Sequence, residues 1–104
     1  MRIKIYQINP DRDKNKVKFH NLKNTRRFQG TADIDPSVYD EVFNGEVDSD
    51  NLEEIFRQFN TEGHPLHRGH SLSVSDVVVI NRGGKEEAHY CDSIGFTPVP
   101  EFMQ

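Results

Sequence analysis

Four consecutive residues, Val77-Val78-Val79-Ile80, leave this chain little choice of architecture. All four are β-branched, which stiffens the side chain and favours a strand, and none alternates with a polar residue. The reading is a strand buried on both faces. Asn81-Arg82-Gly83-Gly84-Lys85 follows as a turn whose glycines are free to take positive φ. Glu86 to Asp92 then returns antiparallel, and Gly95-Phe96-Thr97-Pro98-Val99 adds a short extended piece.

The remaining segments supply partners for this hairpin. Arg2 to Ile8 alternates with period two and reads as a strand, broken by Asn9-Pro10-Asp11. Val17 to His20 is a weaker extended candidate, and Lys23 to Gly30, with no clear period, reads as irregular. Asp35-Pro36 has the form of a helix start, with Val38, Tyr39, Val42 and Phe43 on one face and Gly45 as the stop. Asp50, with Glu53 three residues on, opens a second helix whose Leu52, Ile55, Phe56 and Phe59 form an apolar stripe before Gly63 and Pro65. The expected fold is one α+β domain over residues 1–104. Its small antiparallel sheet comprises the N-terminal strand, the C-terminal hairpin and the short last strand, with two helices packed on one face.

Composition narrows the setting. The hydrophobic fraction is 34%, charged residues make up 29%, and no apolar run approaches a membrane span or a secretory signal. One cysteine, Cys91, excludes an internal disulfide framework, so a cytoplasmic protein is expected, with no membrane partner. Charge is divided along the chain: residues 1–29 carry +7, residues 30–62 carry −9 and residues 63–104 carry −2. A basic first third could meet nucleic acid and an acidic middle could imitate it, but segments that pack side by side would neutralise one another.

The stretch "GHSLSVSDVVVI" raises the question of chemistry, because Ser71, Ser73 and Ser75 stand at every second position ahead of Asp76. A nucleophilic serine needs a base, here His64, His67, His70 or His89, and an orienting group such as Asp76 or Asp92. The local pattern lacks the glycines of a strained nucleophile elbow, and serine and aspartate routinely bind backbone N–H groups at turns. The row is therefore read as scaffold, with no catalytic residue assigned. His64, His67 and His70, with Cys91 or His89, have metal-binding side chains, but Pro65 and Gly69 place them in a loop without zinc-site spacing, so no metal or cofactor is expected. Asp11-Arg12-Asp13-Lys14-Asn15 opens like a calcium loop and fails it, since Lys16 and Leu22 occupy the positions of the required glycine and glutamate. A charged turn is the expectation there, its arginine paired with a nearby carboxylate.

The stretches "YQINPDRDKNKVKF", "RFQGTADID", "VYDEVFNGEVDSDNLEEIFRQFN", "GHSLSVSDVVVI" and "HYCDSIGF" run in order along nearly the full length. In them the chain resembles the YodL-like domain family of Firmicutes. The resemblance implies a protein carried on conjugative transposons and other mobile elements of gut bacteria, alone or as a module, and it implies no established enzymatic activity. The function expected is a non-enzymatic protein-interaction or accessory domain with a protein partner. Its candidate surface is His70, Ser71, Ser73, Ser75 and Asp76 together with Asp92, Ser93 and Phe96. The alternatives are a small Ser/His hydrolase and an anti-restriction, DNA-mimicking or nucleic-acid-interacting protein.

Overall fold

A computed structural model describes residues 1–30 and 33–103. Five strands form one antiparallel sheet: β1 (Arg2–Ile8), β2 (Tyr39–Glu46), β3 (Val77–Arg82), β4 (Lys85–Cys91) and β5 (Phe96–Pro98), in the order β2-β1-β3-β4-β5. Two α-helices accompany them, α1 (Leu22–Gln29) and α2 (Leu52–Thr61), with short 3-10 turns at Pro36–Val38 and Pro100–Met103. The α+β class, the N-terminal strand, the hairpin and the short last strand are all as the sequence reads.

β3 explains the arrangement. Val77, Val78, Val79 and Ile80 are each at most 1% exposed, and successive side chains enter two different cores. Val77 and Val79 join Ile8, Tyr39, Ala88, Tyr90, Leu22, Val99 and Phe102 on one face. Val78 and Ile80 join Ile3, Ile5, Phe43, Ile55, Phe59 and Leu72 on the other. Burial on both faces is worth roughly 1.5–3 kcal/mol for each large aliphatic side chain. The β3–β4 connection is a two-residue turn with Gly83 at φ 58° and Gly84 at φ 88°, the left-handed pair that matches the twist of a hairpin.

The helices correct the expected layout. α1 contributes Leu22 to one core and α2 contributes Ile55 and Phe59 to the other, so they cover opposite faces of the sheet rather than one. A strand apolar on both sides requires cover on both. α1 itself occupies the stretch read as irregular. It is held by its ends: Asn21 accepts the Asn24 N–H, Gly30 closes it at φ 78°, and Arg26 and Arg27 lie at the negative end of its dipole.

The segment read as a first helix is also different. Asp35 does cap a turn, accepting the Ser37 N–H, but the turn is a single 3-10 element and the chain then enters β2. Along β2, Phe43 lies opposite Ile5 and Glu41 opposite Tyr6, which leaves Val42 as a bulge. The extra residue reverses the alternation, so Tyr39 faces the first core and Phe43 the second. Val17 to His20 is turn and loop, not extended. α2 is capped by Asn51, which accepts the Glu53 and Glu54 N–H groups, while the expected cap Asp50 pairs with Arg82.

Charge is neutralised only in part. Arg12 pairs with Asp40 and Arg2 with Glu46, joining the basic first third to the acidic middle, whereas Lys4 and Arg26 pair with Glu86 and Glu101. The acidic middle is divided between β2 and α2. Among the described residues, no helix is long and apolar enough to cross a membrane.

Candidate functional site

The loop from Gly69 to Asp76 is not a strand; it turns at Val74 and Ser75 before entering β3. Ser75 adopts φ 85° and is 0% exposed, and the fold binds each of its polar groups. Its N–H donates to the Cys91 carbonyl at 2.9 Å, its carbonyl accepts the Tyr39 hydroxyl at 2.7 Å, and its Oγ accepts the Phe19 N–H at 2.9 Å. Ser73 Oγ donates to the Ser71 carbonyl at 2.9 Å, while Ser71 itself is exposed. The three serines therefore do not share one face, and the two described hydroxyl contacts are to main-chain groups.

Asp76 lies beneath this loop at 1% exposure. Its Oδ2 accepts the Ser73 N–H at 2.7 Å and Gln7 Nε2 at 3.0 Å, and its Oδ1 is buried without a described partner. Burial pushes its pKa up to about 7, against the lowering effect of the Ser73 and Gln7 hydrogen bonds and of the Lys18 charge. A carboxyl of that kind could exchange a proton at neutral pH, but one so enclosed meets no substrate.

Gln7 ties the loop down. Its Nε2 donates to the His70 carbonyl at 2.9 Å and its Oε1 accepts the His70 N–H at 3.1 Å, so one side-chain amide pairs with both main-chain groups of His70. The approach is so close that a Cβ at Gly69 would run into Gln7 Oε1. The ring of His70 lies between a carbonyl and a cation: Nδ1 is 2.6 Å from the Ser71 carbonyl and Nε2 is 3.1 Å from Lys18 Nζ. A carbonyl only accepts and an ammonium only donates, so the proton sits on Nδ1 and the imidazole is neutral. Burial and the nearby Lys18 charge lower its pKa, although the Ser71 hydrogen bond works the other way.

Asp92 and its turn adjoin this network. The Cys91 N–H donates to the Asp76 carbonyl at 2.7 Å, which brings residues 75–76 beside 91–92 as the sequence suggests. Asp92 Oδ1 accepts the Ser93 N–H at 2.9 Å and the Leu22 N–H at 3.2 Å, and Oδ2 accepts the Thr97 hydroxyl at 3.2 Å. This carboxylate both closes its own turn and docks the start of α1. Beyond it Ser93 is exposed, Ile94 is 93% exposed, and Gly95 takes φ 69°. Phe96 is half-buried, its ring edge-on to Phe56 at 6.3 Å.

The histidines serve the loop's packing. His64 stacks near Phe59 and meets Phe43 edge-on at 4.7 Å, and His67 Nε2 donates to the His70 carbonyl at 2.7 Å. Cys91 is buried and its thiol is pushed up to about 12 by desolvation. Among the described residues, no group of three or more His, Cys, Asp or Glu is arranged to hold a metal ion. The sequence reading missed Gln7 and Tyr39 here, and it offered Lys18 and Phe19, with Lys14, Lys16, Lys23, Arg26, Arg27 and Phe28, only as a basic and aromatic groove for nucleic acid. Gln7 had left a signal, since a polar residue at the inward position after Ile3 and Ile5 must find buried partners.

Matched against models of known families, residues 2–102 fit the YodL-like domain. The chain belongs to the YodL-like domain family. No curated protein and no solved structure matches it. In this YodL-like domain, the "SLSVSD" and "CDSIGF" stretches are the two sides of one junction, joined by the Ser75–Cys91 and Cys91–Asp76 main-chain bonds.

Proposed function

We propose that this YodL-like domain is a non-enzymatic protein-interaction module, accessory to a bacterial mobile genetic element and working in the cytoplasm. The mobile-element setting rests on the family resemblance, and the cytoplasmic setting on a lone buried cysteine in a polar chain. The reading draws on how polar capacity is used: Ser73, Ser75, Asp76 and Asp92 hold main-chain groups, so their contribution to recognition is to keep a surface rigid.

The observation that carries the proposal is Ile94. It stands 93% exposed on a turn fixed by Asp92 and Gly95, with exposed Ser93 before it and half-buried Phe96 after it. A large aliphatic side chain held outward on a rigid turn suits an anchor for a protein partner. Ser75 and Asp76 act from beneath, and His70 and Ser71 border the loop above them.

Affinity capture from a bacterial host lysate, comparing the wild type with Ile94→Asp, tests it. Loss of a captured protein with an unchanged thermal midpoint supports docking at this turn. The same captured set from both proteins removes the turn as the docking surface. Labelling of a serine by a fluorophosphonate probe, abolished by Ser73→Ala, would replace the proposal with a hydrolase.

A further inference from the structure

From Lys14 to Gln29 the chain holds six cations (Lys14, Lys16, Lys18, Lys23, Arg26, Arg27) and no carboxylate. The fold gives this stretch two exposed aromatic rings, Phe19 at 57% and Phe28 at 52%. Phe28 packs edge-on against His20 at 5.3 Å, and Phe19, next to His20 in the chain, lies 5.5 Å from the His70 ring with Lys18 Nζ 5.1 Å from its own centroid. The rings and cations therefore form one patch at the start and outer side of α1.

The patch is built rather than loose. Asp13 is buried, and its carboxylate accepts the Val17 and Lys18 N–H groups at 2.9 Å each, organising the loop that carries Lys14, Lys16 and Lys18. Lys18 Nζ donates to the Ile8 carbonyl at 2.6 Å. Phe19 is held at φ 71°, a conformation that bulky residues avoid, by its N–H bond to buried Ser75. A ring fixed outward in a disfavoured backbone conformation is a preorganised contact.

Of the carboxylates at its border, Asp92 accepts the Leu22 and Ser93 N–H groups and the Thr97 hydroxyl. Asp35 neighbours Lys14 and Glu101 pairs with Arg26. Among the described residues, no ion pair takes up Lys16, Lys23 or Arg27. The acidic residues of α2 lie across the sheet on the other face and do not screen the patch.

We infer that this α1 patch binds single-stranded nucleic acid, with Phe19 and Phe28 stacking on bases and Lys16, Lys23 and Arg27 meeting phosphates. Charge complementarity asks for a polyanion, and rings presented beside the cations ask for one with flat, unpaired faces. A lipid surface fits less well, because the two rings are interleaved along the chain with His20, Lys23 and Arg27 and belong to no continuous apolar run. This patch adjoins the Ile94 turn through the Leu22–Asp92 hydrogen bond, but the assignment does not depend on that turn.

Fluorescence anisotropy with a labelled oligothymidylate of about fifteen nucleotides tests the assignment, against its duplex and against phosphatidylglycerol-containing vesicles. Binding should weaken steeply between about 50 and about 200 mM salt. Phe28→Ala, and Phe19→Asn, which tolerates the left-handed backbone, preserve charge and should each weaken single-strand binding about tenfold while leaving duplex binding nearly unchanged. Lys23→Glu with Arg27→Glu should abolish both, with the thermal midpoint unchanged. No single-strand binding at low salt, binding to vesicles alone, or binding indifferent to both ring substitutions would overturn the assignment.

Discussion

At Asp76 burial outweighs two hydrogen bonds and a nearby lysine, and that balance sets how the domain responds to pH. The carboxyl binds its proton more tightly folded than unfolded, so the folded state loses stability as pH rises from about 4, the ordinary carboxyl value, to about 7. The loss is on the order of 4 kcal/mol across that window. His70 acts in the opposite sense, since its lowered pKa costs stability as pH falls below about 6.5. Urea unfolding at several pH values should separate the two. Relative to the wild type, Asp76→Asn should remove the decline on the alkaline side and leave the acid-side decline of His70. A wild-type midpoint that rises from pH 5 to pH 8 in step with Asp76→Asn would contradict this account. Gly69→Ala should cost about 1–3 kcal/mol, because its Cβ displaces the Gln7 amide that pins His70. The same urea midpoints read that cost.

Elements show where sequence periodicity misleads. Val38, Tyr39, Val42 and Phe43 imitate a helical stripe because the bulge at Val42 puts two adjacent residues on one side of a strand. A bulge is decided by the partner strand, which local periodicity does not contain. α1 was hidden for the opposite reason: its inward positions are Leu22 and Thr25, and a threonine does not register as core. The structure explains its place, since Thr25 Oγ1 lies 2.7 Å from the buried Tyr90 hydroxyl. β1, α2 and the β3–β4 hairpin were legible because their periods and turn residues are local. Of the candidate site, the joining of residues 75–76 to 91–92 was legible, but the burial of Ser75 and Asp76 and the Gln7 tether depend on long-range packing. Deleting Val42 should return Tyr39 and its neighbours to the wrong faces and abolish cooperative thermal unfolding followed by circular dichroism. Asn51→Ala should cost about 1 kcal/mol through loss of the α2 cap, read as a lowered urea midpoint.

Across the whole molecule, the two cores share one wall. β1 and β3 are that wall, β2 extends it with Tyr39 toward one core and Phe43 toward the other, and α1 and α2 each cover one side. Native-state hydrogen exchange should find the slowest amides at Val78 and Val79 and the fastest strand amides in β5, which pairs over three residues with β4 alone. Protection in β5 equal to that in β3 would show instead that the sheet opens only as a unit. β1 is flanked on both edges by strands that follow it in the chain, one ending at Glu46 and the other at Arg82. During synthesis Ile3 and Ile5 can pair with β2 once Glu46 is made, but the opposite edge of β1 stays unpaired until β3 follows. Chaperone capture during synthesis would fall on that waiting strand.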